Sequence, residues 1–137
     1  MTTVVDASLV LAWLQDEPGS DDAERHLVDG VIGAANWSEV LQKSRQHGVD
    51  PGIVAPLLAS FGLRVAEVSQ ADAEVAAGLW RIGSPLSLAD RLCLALGLRL
   101  RAEVATADAA WHGLTGGPAV VPASRDGSRS TARPGSG

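Results

Sequence analysis

The sequence predicts an α/β fold, a parallel sheet built from βαβ units with helices on both sides. Two observations carry this reading. Short apolar, often β-branched runs alternate with segments of helical periodicity along the chain, which is the pattern of a sheet whose crossovers are helices. The chain has 137 residues and no internal repeat, enough for one domain with a sizeable core and too little for a separate substrate module beside it.

Thr2 to Val5 is a β-branched run ending at Asp6, after which Leu9, Val10, Trp13 and Leu14 recur at helical spacing. Ser20, Asp21 and Asp22 supply a cap and first-turn acids for a second helix that Gly30 closes. Val31 and Ile32 read as a short strand. A third helix is expected from Asn36 to His47, with Gly48 as its stop. Pro51 opens a fourth, carrying Ile53, Val54, Leu57, Leu58 and Phe61 and ended by Gly62.

Leu63 to Val68 is a strand candidate, and Ala71 to Ile82 a fifth helix. Gly83 to Leu86 forms a turn, and Ser87 caps the most apolar helix, Leu88 to Leu100. A helix apolar on nearly all faces is expected to be central and packed on the sheet. Val104 and Ala105 form a strand ending near Asp108, a brief helix includes Trp111, and Ala119 to Val121 offers a last strand. From Ser124 the sequence SRDGSRSTARPGSG predicts a disordered tail, so the folded domain is expected over 1–123 and the tail over 124–137.

Composition excludes several function classes. No apolar stretch reaches the roughly 18 residues that cross a bilayer, because Asp90, Arg91 and Arg99 interrupt the richest one. The N-terminus lacks a basic region followed by an apolar core, so a cytoplasmic protein without membrane contact is expected. Cys93 lies in the apolar run Leu92 to Leu96 and reads as a buried spectator. With it, His26, His47 and His112 offer no zinc-ligand spacing. The net charge of −5 divides unevenly: Arg125, Arg129 and Arg133 against Asp126 give the tail +2 and leave the body −7. An acidic body argues against gripping nucleic acid through bulk electrostatics, so any such contact is local.

Asp6, Glu39, Asp90 and Asp108 each stand where a strand-like run or turn gives way to a helix. In an open parallel sheet those junctions share one edge, so the acids can converge. Two unit charges about 5 Å apart at an effective dielectric of about 20 repel by roughly 3 kcal/mol. A hard divalent cation such as Mg²⁺ or Mn²⁺ removes that conflict and keeps waters for a phosphate oxygen and an attacking water, the chemistry of phosphodiester hydrolysis. Each acid also fits a helix start: Asp6 and Asp108 as caps, Asn36 to Glu39 as an N-x-x-E arrangement like a capping box, and Ser87 to Asp90 with S-x-x-D spacing. Asp90 stands out because a charge at the mouth of an apolar helix is costly to bury without a partner. The run Asp16, Glu17, Asp21, Asp22 and Glu24 reads as a solvated face.

The segments VVDASLVLAWL, AANWSEVLQK, SLADRLCLALGLRL and EVATADAAW, in that order, resemble the successive motifs of PIN-domain proteins, most closely the small VapC-type ribonuclease toxins, over about residues 3 to 121. The resemblance implies a three-layer α/β/α sandwich with a central parallel sheet and Mg²⁺- or Mn²⁺-dependent ribonuclease activity. Asp6 and Asp90 match the acids most directly tied to metal, Glu39 the acid of the N-x-x-E motif and Asp108 that of the T-x-D motif. Ser8, Asn36 and Thr106 match polar residues that support such a site, although ordinary capping explains them equally. Arg91, Lys43 and Arg45 are candidates to steer RNA, or else solvated helix residues.

The resemblance also implies a VapB-type antitoxin across the active-site groove and a homodimer. Apolar side chains at Trp13, Leu14, Val54, Leu57, Leu58 and Phe61 suit such an interface or a core. The long polar end after Val121 departs from the family pattern. Other readings are an RNA-processing nuclease that is no toxin, a catalytically silent PIN module, and an aspartyl phosphatase using Asp6. The last would place a second Asp where Ser8 stands.

Overall fold

The computed structural model describes residues 2–17, 20–108, 111 and 118–122. The run Thr3–Val5 (β1) passes at Asp6 directly into Ala7–Leu14 (α1), and Ser20–Leu27 (α2) follows. Val31–Gly33 (β2) runs without a loop into Ala34–Gln46 (α3), after which come Pro51–Ala59 (α4), the short strand Arg64–Ala66 (β3) and Gln70–Gly78 (α5). Leu88–Leu100 (α6), Glu103–Thr106 (β4) and Val120–Pro122 (β5) complete the fold.

The strands form one sheet in the order β3-β2-β1-β4-β5, and every pairing is parallel. Successive side chains on a strand point to opposite faces, and here that alternation builds two cores. Val5, Ile32 and Ala105 face one core with Leu9 and Val10 of α1, Leu27 of α2, Val40 of α3 and Val54 and Leu58 of α4. Their neighbours Val4, Val31 and Val104 face the other, with Cys93, Leu94 and Leu96 of α6 and Trp111. The result is the three-layer α/β/α sandwich expected from the sequence.

Several boundaries differ from expectation. The third helix starts at Ala34 rather than Asn36, with Gly33 as a cap that offers no side chain. The N-x-x-E arrangement is therefore not a capping box, and Asn36 lies inside the helix, 1 % exposed. Strand β3 is confined to Arg64–Ala66 because its partner β2 offers only Val31 to Gly33 for pairing. Helix α5 stops at Gly78 instead of Ile82. The Arg81 guanidinium donates to the carbonyls of Gly78 and Trp80 and so satisfies the helix end.

Helix α6 is less central than its composition suggests: Cys93 to Gly97 are buried, whereas Leu88, Leu98 and Leu100 are exposed. Gly97 marks its tightest contact, since a Cβ there would lie 2.5 Å from Val104 Cγ2 and 2.9 Å from Pro118 Cγ. Gly48 takes φ +76 just after α3, as its expected role as helix stop requires. Of the apolar residues suited to either an interface or a core, Val54 and Leu58 are buried, and Trp13 meets Phe61 edge to face at 5.2 Å. Leu57 remains exposed. No described helix is long and apolar enough to cross a membrane. The tail and most of the brief helix expected around Trp111 lie outside the described residues.

Candidate active site

Parallel strands bring their carboxyl ends to one edge of the sheet, and four acids stand there. Asp6 follows β1, Glu39 lies on α3 beyond β2, Asp108 follows β4, and Asp90 stands in the first turn of α6. Together with Ala7, Ser8, Leu11 and Lys43 they line one pocket.

Asp6 is the innermost, 3 % exposed. It is the N-cap of α1: its Oδ1 accepts from the Leu9 amide at 2.9 Å. The Ser8 hydroxyl lies 2.8 and 2.9 Å from its two oxygens, and the Thr106 hydroxyl donates to Oδ2. The Asp6 pKa is raised from an ordinary 3.8 to about 6, because burial outweighs the hydrogen bonds from Thr106, Leu9 and Ser8 that lower it, with the Asp90 charge adding to the rise. The pocket thus holds a carboxyl that is protonated more readily than usual, chiefly because its charged form is buried away from water.

Ser8 and Thr106 do more than contact Asp6. Ser8 Oγ accepts from the Ala107 amide at 3.0 Å, and Thr106 Oγ1 accepts from the Asp108 amide at 2.9 Å. The two hydroxyls, 3.1 Å apart, therefore lock the loop carrying Asp108 to the start of α1. On the other side, Asn36 Nδ2 points toward Glu39 Oε1 at 3.4 Å and the Ala89 carbonyl at 3.3 Å. Asn36 thereby links the Glu39 helix to the residue preceding Asp90.

Asp90 forms a reciprocal capping box: its Oδ2 accepts from the Ser87 amide at 2.9 Å while Ser87 Oγ accepts from the Asp90 amide at 3.1 Å. The expectation that Asp90 is a buried charge needing a partner is corrected, since it is only half-buried and its cap role accounts for one oxygen. It still lines the pocket. Cys93 lies beneath this cluster, fully buried, with its thiol held near the Val5 carbonyl. Burial raises its pKa well above 9.0, and the charges of Asp6, Asp90 and Glu39 add to that.

The cationic candidates separate. Lys43 lines the pocket, one helical turn beyond Glu39. Arg91 does not line it: its Nη1 donates to the Ala76 carbonyl on α5 at 2.9 Å. Arg45 is exposed on the last turn of α3. Leu11 was not singled out from the sequence, although its spacing of four from Ala7 puts it on the same helix face.

The lining donors are carboxylate and hydroxyl oxygens, the set that suits a hard divalent cation and not a soft one. Among the described residues, no group of three or more His, Cys, Asp or Glu side chains is already drawn together as a coordination cluster. The acids line the pocket while Asp6 and Asp90 are held by the chain's own amides and hydroxyls.

A parallel α/β/α sandwich with acids gathered at the carboxyl edge defines a class of open-sheet domain whose site lies outside the strand ends. Within that class the chain belongs to the PIN-domain family, whose match covers residues 3–115. No curated protein matches the sequence. Solved structures share the fold. A chain of a toxin-antitoxin complex from Klebsiella pneumoniae aligns with TM-score 0.72 and 21% identity, covering 88% of this chain and 97% of that one. VapBC2 from Rickettsia felis, bound to a DNA fragment from its promoter, gives TM-score 0.65 and 14% identity over 89% of this chain and 98% of that one. Mycobacterium tuberculosis VapC20, described as a sarcin-ricin loop cleaving toxin, gives TM-score 0.64 and 14% identity over 78% and 90%.

Proposed function

We propose that the protein is a Mg²⁺- or Mn²⁺-dependent endoribonuclease, the toxic component of a toxin-antitoxin pair. The observation that carries this is the pocket at the sheet's carboxyl edge, lined by Asp6, Glu39, Asp90 and Asp108 in a chain of the PIN family. Support for the toxin reading comes from fold neighbours described as toxin-antitoxin complexes and as a sarcin-ricin loop cleaving toxin.

Asp6 and Asp90 would hold the metal, with Glu39 and Asp108 completing its oxygen shell directly or through water. When bound, the cation supplies charge neutralisation at a phosphate and a more acidic water. The chain's own residues do the rest. Ser8 and Thr106 fix the Asp6 carboxylate through their hydroxyls. Asn36 keeps Glu39 beside the α6 terminus. Lys43 offers a cation to a phosphate at the rim, and an outer carboxylate, Glu39 or Asp108, accepts the proton of the attacking water.

In this reading the substrate is RNA, the setting is the cytoplasm, and a small VapB-type antitoxin restrains the enzyme. Homodimerisation is part of the same proposal, supported by the exposed apolar side chains of Trp80 and Ile82, in the connection after α5, and of Leu88, the first residue of α6. A second reading, a PIN module that binds partners without cleaving, draws on the structural duties that Asp6 and Asp90 already have as helix caps. Cleavage of labelled RNA with added Mg²⁺ or Mn²⁺, by wild type and by Asp6→Asn and Asp90→Asn, separates the two. Loss of cleavage in folded variants and in chelator supports the nuclease. Chelator-resistant cleavage, or full activity in both variants, would sink the metal site, and an inert wild type that still binds Mn²⁺ would favour the silent module.

A further inference from the structure

The capping box ties Asp90 to Ser87, and so only to its own helix. Whether its carboxylate meets Asp6, Glu39 and Asp108 in the pocket therefore depends on where the first turn of α6 sits. Apolar burial does not settle that. The buried stretch of α6 begins at Cys93, Ser87 and Leu88 are exposed, and residues 80–87 before them form no helix or strand.

Two polar contacts hold the turn against its neighbours. On the α3 side, Asn36 Nδ2 lies 3.3 Å from the Ala89 carbonyl oxygen. On the α5 side, Arg91 Nη1 donates to the Ala76 carbonyl at 2.9 Å. The anchored residues are the immediate neighbours of Asp90 in the chain, so the acid is braced from both sides.

The Ala76 carbonyl suits a guanidinium. It belongs to the last turn of α5, where carbonyls run out of intrahelical partners and the helix end carries negative partial charge. Ala76 is itself buried, which places the contact in the seam between α5 and α6. At the far end of that seam Arg99 of α6 holds Asp72 near the start of α5, at 2.9 and 3.0 Å from its two oxygens. Two arginines of α6 thus fasten it to α5, and the one nearer the pocket stands next to a pocket acid. The Arg91 guanidinium is committed to the seam, with its Nε buried there as well, and does not line the pocket.

We infer that Arg91 is a positioning residue: through Ala76 it sets the first turn of α6 so that the Asp90 carboxylate enters the pocket, and it makes no contact with RNA. This rests on the metal-dependent ribonuclease reading above.

The test compares Arg91→Met, which keeps an apolar stem and removes the donors, with Arg91→Lys and with Arg99→Met, which unfastens the other end of the same seam. Three readouts on the full chain separate the roles. In metal-free protein the Asp90 and Arg91 amides, which donate to Ser87 Oγ and to the Ser87 carbonyl, should exchange about tenfold faster in Arg91→Met and at the wild-type rate in Arg99→Met. Titration with Mn²⁺ alone should give a Kd about tenfold higher in Arg91→Met, the effect of losing a partner that orients a metal ligand. At saturating Mn²⁺, kcat for a labelled single-stranded RNA should fall about tenfold while KM stays within about twofold. Arg91→Lys, which keeps a donor, should recover most of each loss. Arg91→Gln, a polar but shorter side chain, carries the same readouts if Arg91→Met does not fold.

A raised KM with kcat and Mn²⁺ affinity intact would overturn the inference in favour of an RNA contact. Equal losses in Arg91→Met and Arg99→Met that follow their melting temperatures would overturn it in favour of a purely stabilising role. A Lys variant no better than Met would overturn it too, since a donor to Ala76 would then have no effect. The two readings fail separately. Faster exchange in Arg91→Met, with a wild type that neither binds Mn²⁺ nor cleaves, overturns the ribonuclease reading alone. Asp90-dependent cleavage by wild type, with exchange, Mn²⁺ affinity and kcat unchanged in Arg91→Met, overturns the positioning role alone.

Discussion

The Thr106 hydroxyl donates to Asp6 Oδ2 at 2.5 Å and joins residues 100 positions apart in the chain. The contact exists because β1 and β4 are neighbours in the sheet, Val5 in register with Ala105, so the next residues of the two chain segments, Asp6 and Thr106, emerge side by side. The same hydroxyl accepts from the Asp108 amide at 2.9 Å. One side chain thus sets the position of one pocket acid and the charge state of another.

Replacing Thr106 by Val keeps the shape and removes both functions. The buried Asp6 carboxylate loses a donor and the Asp108 amide loses an acceptor, so unfolding free energy should drop by about 1–3 kcal/mol. Without that donor the Asp6 pKa rises further, and the ionised form that the proposed metal site would use becomes scarcer at neutral pH. Cleavage should fall about tenfold or more at pH 7 and recover in part at pH 8.5. A Thr106→Val protein with the wild-type pH profile would show that the hydroxyl does not govern Asp6, whereas Thr106→Ser should retain the profile.

Asp6 gives the metal-free protein an unusual pH dependence. Its pKa is raised from 3.8 to about 6, so between those values the native state holds a proton that the unfolded chain has released. Stability therefore falls as pH rises through that window, by about 3 kcal/mol for a gap of about 2 pH units. Asp72 has the opposite sign. Burial alone would raise its pKa, but hydrogen bonds from Arg99 and from the Ser69 amide and hydroxyl outweigh it and hold the carboxyl below its ordinary 3.8. The Asp72 contribution is present above pH 3.8 and is lost as pH falls through its native value. Urea unfolding in chelator at pH 4 and pH 7.5 reads the first effect: Asp6→Asn should be more stable than wild type at pH 7.5 and nearly equal to it at pH 4. A difference that does not change with pH would refute the assignment.

Asp90 and Ser87 separate capping from chemistry. Asp90→Asn keeps an oxygen that can accept from the Ser87 amide, so stability should change by about 0.5 kcal/mol or less while the charge disappears. Ser87→Ala removes a cap and leaves the acid, so stability should drop by about 1 kcal/mol. Thermal unfolding and RNA cleavage on both variants should show a folded, inactive Asp90→Asn and a weakened, active Ser87→Ala. The reverse pattern would make Asp90 a structural cap and no more.

The parallel sandwich was legible because its signals are local and periodic. Val4 and Val5 alternate between two cores, and α1 and α3 show their buried stripes in the spacing of Leu9 and Val10 or of Asn36 and Val40. The sharing of one pocket by Asp6, Glu39, Asp90 and Asp108 followed from the same logic, since strand direction alone assigns junction acids to one edge. Less legible were features set by tertiary contacts. Arg91 reads as a solvated or RNA-facing cation, and only the packing of α5 on α6 turns it toward Ala76. The third helix begins at Ala34 because β2 enters it without a loop, which no capping residue announces. Leu63 to Val68 carries strand-like alternation over its whole length, but its neighbour β2 has only Val31 to Gly33 to pair with Arg64 to Ala66.

Gly97 links this packing to the site. A Cβ at that position would lie 2.5 Å from Val104 Cγ2, and Val104 is two residues before Thr106 on β4. Alanine gains about 1 kcal/mol of helix propensity over glycine, but overpacking costs typically about 1–3 kcal/mol and the branched Val104 has no free end to swing away. Gly97→Ala should therefore be neutral to about 2 kcal/mol destabilising, with the strain relieved by moving α6 off β4. Such a shift also moves Thr106 against Asp6, so cleavage should fall more than the stability loss explains. Adding Val104→Ala removes the nearer of the two obstacles and leaves Pro118 Cγ at 2.9 Å, so the double variant should be more stable than the sum of the two single changes by about 1 kcal/mol. Urea unfolding of the four proteins in this cycle measures that coupling. Strict additivity would mean that Gly97 is not required by the contact with Val104.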